Sequence, residues 1–397
     1  MNDPLTPIHA ATHHDPYPYY AGLVADKPIY YDQEMKMWVA SSAEAVSDVL
    51  RSDYCFVRPV AEPVPTRLIG SPAGQVFCHL VRMNDGTAHS QFKPVVATAL
   101  EWLNPIRIAD QSNRWASFLI SQIQPFGFLS GISDFAFQLP LYVVASLLGV
   151  PTDMLSQTNL WVKDFVRSLI PTNNAQQIEQ GKISAGHLLG MLRSLLSTSD
   201  EDGAPDLLHL LSHMAKGARQ DDENRVIANA IGFLSQAYEA TAGLISNTLV
   251  VLAKDHHIQK LVMSDLGLLT RVIDEVIRYD PPIQNTRRFL GHDRVILGKS
   301  MKQGDIILLI LAAANRDPLI NSNSTEFDIY RQQRASFTFG LGTHTCPGQK
   351  LAIIIARTGI EQLIKSGIDL KQLGTLPRTF FPSANARIHM FGSNYLT

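Results

Sequence analysis

The feature that most constrains this chain is a glycine-rich segment near its carboxyl end, residues 336–352, which surrounds a single cysteine, Cys346. Three glycines allow sharp turns and close approach of the backbone: Gly340, Gly342 and Gly348. The apolar run from Leu351 to Ile364 predicts a helix that ends near Gly367. Cys346 is therefore expected just before a helix amino terminus, where N–H groups and the helix dipole stabilise a thiolate. Such a thiolate can bind a metal; a buried structural cysteine is the ordinary alternative.

This segment resembles the haem-binding loop of the cytochrome P-450 family, F-G-x-G-x-H-x-C-x-G-x-x-L-A, at every fixed position. By that resemblance Cys346 is the axial thiolate ligand of the iron in haem b. Phe339, Gly340 and Gly348 would belong to the cofactor-binding loop, and His344 would contact a haem propionate. The implied fold is mainly α-helical with small β-sheets (α+β), with haem between a long central helix and the helix that follows the cysteine.

The composition fits the soluble bacterial members of the family rather than the membrane-anchored ones. The chain has 397 residues, 45% of them hydrophobic, and a net charge of −2. The lack of a basic excess argues against nucleic acid as a partner. Three cysteines are too few for a disulfide framework and indicate a reducing compartment. The sequence shows no signal peptide and no apolar run long enough to span a bilayer. We therefore expect a soluble, cytoplasmic protein of the bacterial type, with residues 1–397 forming a single domain.

A long helix is predicted from Val226 to Lys254, apolar on nearly all sides and so expected to run through the core. Glu239 within it is costly to bury without a partner; it is either a proton-relay group or a carboxylate paired with a basic neighbour. The family's oxygen-binding motif, A-G-x-[DE]-T-[TS], aligns with residues 236–241. The resemblance makes Glu239, Ala240 and Thr241 the catalytic positions.

The chain does not match that motif at every position. Ala237 replaces the usual glycine, and Ala240 replaces the threonine whose hydroxyl usually helps deliver protons. Thr241 lies one residue further along, about 100° further round the helix, so it need not face the iron. We expect a hydroxyl or amide of the substrate, or an ordered water, to supply the missing group.

Basic residues in two other segments are candidates for binding haem propionates. His89 and Lys93 are four residues apart and share a helix face, although a solvated face is the usual explanation of such a pair. The family typically has His and Arg at this spacing, so Lys93 is a departure. A strand over residues 283–289 carries Arg287 and Arg288 on opposite faces. The resemblance aligns Arg288 with the family's propionate-binding arginine; a shift of one residue would favour Arg287.

Glu275 and Arg278 match the family's E-x-x-R motif, which forms a structural ion pair behind the haem; an exposed helix pair is the alternative. Residues 52–82 contain several prolines and glycines and predict a long irregular loop over the distal face of the haem. The resemblance also implies a substrate pocket, for which six residues are candidates: Phe77, Phe233, Ala237, Ile283, Gln284 and Asn285.

The activity that the resemblance implies is a monooxygenase reaction. Two electrons would arrive from a ferredoxin or a flavodoxin, and O₂ would be used to hydroxylate a small, moderately polar molecule of the secondary-metabolite type. Ala240 favours an alternative within the family, namely oxidative coupling, desaturation or ring closure. A peroxide-driven peroxygenase and a non-catalytic haem-thiolate sensor or carrier are the remaining alternatives.

Overall fold

The structure is a computed structural model that describes residues 4–123, 128–170, 174–198, 205–218 and 222–392. These ranges are mainly helical, with small sheets. The helices are α1 (Tyr17–Asp26), α2 (Ala43–Arg51), α3 (Pro72–His79), α4 (Gly86–Glu101), α5 (Pro105–Ile123), α6 (Phe128–Leu147), α7 (Leu155–Ser168), α8 (Ala175–Ser197), α9 (Leu207–Gly217), α10 (Glu223–Lys254), α11 (His256–Ser264), α12 (Leu269–Tyr279), α13 (Leu311–Ala314), α14 (Gln349–Lys365) and α15 (Leu370–Thr375). The strands are β1 (Ile29–Asp32), β2 (Met37–Ala40), β3 (Cys55–Phe56), β4 (Thr286–Leu290), β5 (Arg294–Ile296), β6 (Lys299–Met301), β7 (Ile306–Leu309), β8 (Arg378–Phe380) and β9 (His389–Phe391).

The strands form one five-stranded sheet, in the order β1-β2-β7-β4-β3, and two separate antiparallel pairs, β5-β6 and β8-β9. Among the strands that the structure describes, only β2 and β7 pair in parallel, with Trp38 opposite Ile307. The antiparallel pairing of β4 with β7 places Arg288 opposite Ile307 as well. This register fixes which face of β4 each arginine occupies.

Helix α10 forms the centre of the molecule, as its apolar sequence predicts. Asp222 caps its first turn by accepting a hydrogen bond from the Asn224 N–H, which is the usual way to satisfy the free amides of a helix start. The helix packs against α3, α6, α12 and α14. The largest cluster of buried apolar side chains runs along it and extends from Leu68 to Phe391 in sequence.

The expectation of a long irregular loop over residues 52–82 is wrong in part. Residues 72–79 form α3, and a single turn of 3₁₀-helix covers Val81–Met83. Ser71 accepts a hydrogen bond from the Gly74 N–H, and Pro72 occupies the first helical position. Serine followed by proline is typical of a loop, but the same pair is also a helix-start signal.

Among the helices that the structure describes, none has the length and apolar character needed to cross a bilayer.

Candidate active site

The segment that precedes α14, residues 336–348, which we call the cysteine loop, has a fixed shape. The Cys346 N–H donates to the Phe339 carbonyl at 2.7 Å, which folds the loop back on itself. Gly340 and Gly342 have φ of +73° and +71°, a conformation with little cost only for glycine. A Cβ at Gly342 would lie 3.0 Å from the Leu50 carbonyl oxygen, so glycine here also allows α2 to approach. The loop therefore presents Cys346 directly ahead of α14.

The electrostatic surroundings of Cys346 favour a thiolate only when a cation is added. Burial raises the pKa of the Cys346 thiol, whereas a hydrogen bond from the Gly348 N–H and the charges of Lys93 and Arg82 lower it. The net pKa is raised, so the thiol stays neutral until a metal ion supplies further positive charge. The sequence correctly indicated a contribution from the helix start but gave no measure of the burial.

The middle of α10 contains a short accessible stretch, residues 236–240, which we call the α10 window. The helix is buried over residues 226–235 and again over residues 241–250. Between these runs Gln236 is exposed, and Ala237, Glu239 and Ala240 are partly accessible. A central helix that is buried on both sides of such a stretch borders an internal space at that point. Thr241 is buried, so the structure brings Ala240, not Thr241, to this space, as the 100° step per residue requires.

Arg82 lies close enough to both Glu239 and Cys346 for its charge to affect the ionisation of each of them. Burial raises the pKa of Glu239 to about 7, and the charge of Arg82 partly opposes this increase. A carboxyl group with this pKa is both protonated and ionised near neutral pH, which is the property of an efficient proton donor and acceptor. Glu239 thus has a basic residue, Arg82, within electrostatic range but forms no ion pair with it among the described residues, and its role as a relay group stays a prediction.

A cluster of basic side chains lies beside the cysteine loop. The His89 and His344 rings are 4.1 Å apart between centroids, and Lys93 Nζ donates to the Thr345 carbonyl at 2.6 Å. His344 Nε2 is 3.0 Å from Asp85 Oδ1. Burial, together with the neighbouring His344 and Lys93, lowers the pKa of His89 to about 4, although the charge of Asp85 opposes this decrease. This crowding of basic groups around a single carboxylate favours the binding of a further anion.

The register of β4 decides between the two arginines of that strand. Arg288 is buried and interacts electrostatically with Asp85, the residue that also contacts His344. Its Nη1 donates to the Arg287 carbonyl at 2.9 Å. Arg287 is only partly buried, and burial alone lowers its pKa. The structure therefore brings Arg288, and not Arg287, into the basic cluster.

These residues fit a haem group. Within the described part of the chain, one buried nitrogen atom of the basic cluster, His89 Nε2, has no hydrogen-bond partner, and a carboxylate such as a haem propionate is a suitable acceptor for it. The first residues of α14, 351–354, are apolar and partly accessible, whereas the helix is more deeply buried from Ile355. In the described part of the chain, no group of three or more His, Cys, Asp or Glu side chains could hold a metal ion. A lone cysteine therefore suits a metal that brings its own ligands, as haem iron does.

The predicted ion pair of Glu275 and Arg278 is fully buried and is larger than a pair. Arg278 Nη2 lies 2.6 Å from Glu275 Oε1. Arg331 donates to the same carboxylate at 3.2 Å and Arg334 at 2.8 Å. Arg278 also donates to the Ser324 carbonyl at 2.8 Å. The cluster thus joins α12 to the irregular chain that precedes the cysteine loop, which agrees with a structural role.

The six pocket candidates do not come together as expected. Ala237 belongs to the α10 window, and Ile283 is partly accessible beside Ala386. Two others are core residues: Phe77 and Phe233. Gln284 donates to the Pro281 carbonyl at 2.8 Å and accepts from the Tyr20 hydroxyl at 3.2 Å.

Gln284 and Asn285 thus need correction as substrate contacts. Asn285 Nδ2 donates to the Ala384 carbonyl at 3.0 Å, and both side chains are buried. Alternation along a strand shows that neighbouring side chains lie on opposite faces, but it does not show which partners the fold supplies.

Two residues of the site were missed by the sequence reasoning. Asp85 connects His344 and Arg288, and Arg82 lies close to both Glu239 and Cys346. Both precede α4 in a segment without regular periodicity. No sequence signal places that segment next to α10, because the contact depends on the tertiary fold.

A fixed cysteine loop, an accessible stretch on a buried central helix and a basic cluster with a single carboxylate are the features of a haem-thiolate protein. The Cytochrome P450 family model matches residues 151–366, more than half of the chain. The chain belongs to this family and is an enzyme of the cytochrome P450 oxidoreductase type, whose cofactor is haem b with a cysteine thiolate as axial ligand. The predictions of the family, the cofactor and the enzyme class are confirmed.

Similar proteins cover most of the chain. The "Biotin biosynthesis cytochrome P450" of Bacillus subtilis (strain 168) is 26% identical over 355 residues, which are 88% of this chain and 89% of the relative. The "Vitamin D(3) 25-hydroxylase" of Pseudonocardia autotrophica is 25% identical over 360 residues, 88% and 85% of the two chains. The solved structure of P450BioI in complex with hexadec-9Z-enoic acid ligated acyl carrier protein has a TM-score of 0.81 at 25% identity, covering 94% of this chain and 96% of that one. The predicted fold, mainly α with small β-sheets, is confirmed.

Proposed function

We propose that the chain is a haem-thiolate monooxygenase with Cys346 as axial ligand and with its reaction site between the cysteine loop and the α10 window. The observation that carries this proposal is the accessible stretch in an otherwise buried central helix, which shares the neighbour Arg82 with Cys346. Haem, when bound, uses O₂ and two electrons to oxidise an organic molecule, and its thiolate ligand favours O–O cleavage. The protein supplies binding, orientation and exclusion of water.

Each group of residues has a separate role in this proposal. His89, Lys93, Arg288 and His344 would bind the two haem carboxylates, with Asp85 holding the cations in place. The partly accessible apolar residues 351–354 of α14 would line the haem face beside Cys346 and exclude water. Phe339, Gly340 and Gly348 would shape the loop around the cysteine sulfur.

Proton delivery is assigned to Glu239, whose carboxyl group is half-ionised near neutral pH. The usual hydroxyl is missing, because the accessible position holds Ala240 and Thr241 is buried. A polar group of the substrate, or an ordered water, would complete the path from Glu239 to the reacting atoms. The substrate would then take part in its own oxidation by positioning a proton.

The redox partner that we propose is a ferredoxin or a flavodoxin. Lys350 is exposed at the start of α14, two residues beyond the cysteine loop. Arg357 lies about two turns further along the same helix face; its side chain is 43% exposed and is 3.6 Å from Glu361. Positive charge at this position suits an acidic partner, and the rate of electron transfer should fall as ionic strength rises. The three cysteines are unpaired, which is consistent with our expectation of a reducing, cytoplasmic setting. We also propose that the chain acts as one domain.

The test of the proposal is the absorption spectrum of the reduced protein with carbon monoxide. Thiolate ligation produces a strongly red-shifted Soret band, and Cys346→Ala should abolish it. Cys78→Ala is the matched control, since Cys78 is exposed and lies outside the cysteine loop. A red-shifted band that persists in Cys346→Ala, or a folded protein that binds no haem, would contradict the assignment.

Ala240 favours a second candidate reaction, which is oxidation without oxygen insertion, such as coupling, desaturation or ring closure. If protons reach the reacting atoms slowly, removal of hydrogen from the substrate competes with insertion of oxygen. Mass analysis of the product separates the two: hydroxylation adds one oxygen, whereas desaturation, ring closure or coupling removes two hydrogens. Turnover with hydrogen peroxide that matched the ferredoxin-supported rate would favour a peroxygenase. Complete lack of turnover with electrons supplied would favour a sensor.

A further inference from the structure

Arg82 is held close to the reaction site by a rigid connection between its loop and α10. The Val81 N–H donates to Asn229 Oδ1 at 2.9 Å, and Asn229 Nδ2 donates to the His79 carbonyl at 2.9 Å. Asn229 is a buried residue of α10. The two hydrogen bonds on either side of Leu80 therefore fix the backbone that carries Arg82 against the central helix.

The same face of α10 leads from this connection to the α10 window. Asn229, Gly232, Gln236 and Glu239 follow one another at steps of three or four residues, so they lie on one side of the helix. A Cβ at Gly232 would lie 2.8 Å from Leu80 Cδ2, which shows how closely the loop approaches. Glu239 lies seven residues beyond Gly232, about 10 Å along the axis. A long side chain from this loop can extend toward the α10 window.

The guanidinium of Arg82 has unused hydrogen-bonding capacity. In the part of the chain that the structure describes, its Nε is buried without a partner, and no hydrogen bond or ion pair of this side chain is formed there. Arginine carries five N–H donors, and leaving one of them buried without a partner is costly. Glu239 is near but makes no direct ion pair with it. The surroundings thus favour an anion that comes from outside the protein.

We propose that Arg82 binds a carboxylate of the substrate and thereby makes the enzyme selective for organic acids. This inference rests on the proposed function, since it takes the space beside the α10 window as the substrate site. A planar guanidinium binds a carboxylate through two parallel hydrogen bonds, which fixes orientation as well as affinity. The carboxylate would be held near Glu239 and would direct the rest of the acid along the site.

The experiment measures binding to the haem-loaded protein by the spin-state change of the Soret band. The probes are octanoic acid, dodecanoic acid and 4-methoxybenzoic acid, each with its methyl ester. We expect at least one acid to bind the wild type about tenfold or more tightly than its ester, which is the usual value of a hydrogen bond to a charged group. Arg82→Gln should weaken the acids to the level of their esters and leave the esters unchanged. Arg82→Lys should restore part of the difference.

Arg225→Gln is the matched control. Arg225 lies on α10 one turn before Asn229 and makes a cation–π contact with Phe92, 5.5 Å from the ring centroid. This substitution removes the same charge from the same region and should leave the acid–ester difference intact. If Arg225→Gln abolished the acid–ester difference in binding as fully as Arg82→Gln does, the difference would come from the overall positive charge of the region and not from a contact with Arg82.

Two further results would overturn the inference. One is that no acid binds the wild type more tightly than its ester. The other is that Arg82→Gln loses haem, measured as haem content and as transfer of haem to an apoglobin, because the guanidinium would then serve the carboxylates of the cofactor. A failure of the proposed function is distinguishable from both, since it would show as a missing thiolate band with carbon monoxide in the wild type.

Discussion

The buried carboxylate of Glu275 provides the sharpest test of how the cysteine loop is supported. Glu275→Gln keeps the size of the side chain and removes its charge. In the wild type, Arg278, Arg331 and Arg334 all donate to this carboxylate, and the Asp328 N–H donates at 3.2 Å. Hydrogen bonds from Arg278 and Arg334 outweigh the burial and lower the pKa of Glu275. The substitution leaves three arginines around a neutral amide.

The expected loss in the free energy of unfolding depends on how deeply each ion pair is buried. The side chains of Glu275 and Arg278 are both 0% exposed, and removing one partner of such a pair costs about 3–5 kcal/mol. Arg334 is 19% exposed and makes one of several bonds, so Arg334→Gln should cost about 1.5–3 kcal/mol, the usual value of a hydrogen bond to a charged group. The pair of Arg193 and Glu223 is 48% and 54% exposed. Glu223→Gln should therefore cost about 1 kcal/mol or less.

Urea unfolding of the haem-loaded proteins, followed by circular dichroism, measures this series. Urea carries no charge and does not screen the ion pairs. We expect the order Glu275→Gln, Arg334→Gln, Glu223→Gln from most to least destabilised, and haem content should fall first in Glu275→Gln. A Glu275→Gln protein that unfolds within about 1 kcal/mol of the wild type would refute the reasoning, because an uncompensated buried cluster cannot cost so little.

Three further predictions concern protons and buried charge. In the proposed mechanism the protonated Glu239 carboxyl is the proton donor. Burial raises its pKa to about 7, so product formed per electron pair should fall as pH rises through 7, and Glu239→Gln should give a flat profile. Ala240→Thr should leave the coupling of a polar, well-placed substrate unchanged or lower it, and a large gain would contradict a substrate-supplied group. Burial raises the pKa of Asp280, but Arg387 and His389 hold it well below its ordinary value of 3.8. Asp280→Asn should therefore cost about 3 kcal/mol at pH 7. The wild type should lose that advantage as pH falls below about 4, as shown by urea unfolding at several pH values.

The sequence was sufficient for those parts of the fold that local patterns encode. The all-round apolar run from Val226 to Lys254 predicted α10 nearly to its ends, and Glu275 with Arg278 predicted the ion pair behind the cysteine loop. The proline- and glycine-containing segment before α4 was read as irregular because turn residues and helix-start residues are the same types. Ser71 and Pro72 show the ambiguity: only the tertiary contacts of α3 determine which structure they begin.

The parts of the site that could not be predicted are those made by long-range contacts. Gln284 and Asn285 lie on the strand expected to border the site, yet Tyr20 and Ala384, from opposite ends of the chain, engage their amide groups. Asp85 connects two basic residues that are far apart in sequence. Such partners depend on which segments pack together, and no periodicity or motif in a single sequence contains that information.

Two features of the site, the missing hydroxyl at Ala240 and the cation of Arg82, meet on one side of α10. Ala240 removes a hydroxyl from the accessible stretch, and Arg82 brings a cation to the neighbouring carboxylate Glu239. A substrate held through a carboxylate would place polar atoms where the hydroxyl is absent, so loss of the hydroxyl need not interrupt proton delivery. Buried cations and acids that face one space are coupled energetically. The selectivity for acids and the tolerance of Ala240 would then have a single cause, which is a substrate that supplies part of the catalytic site.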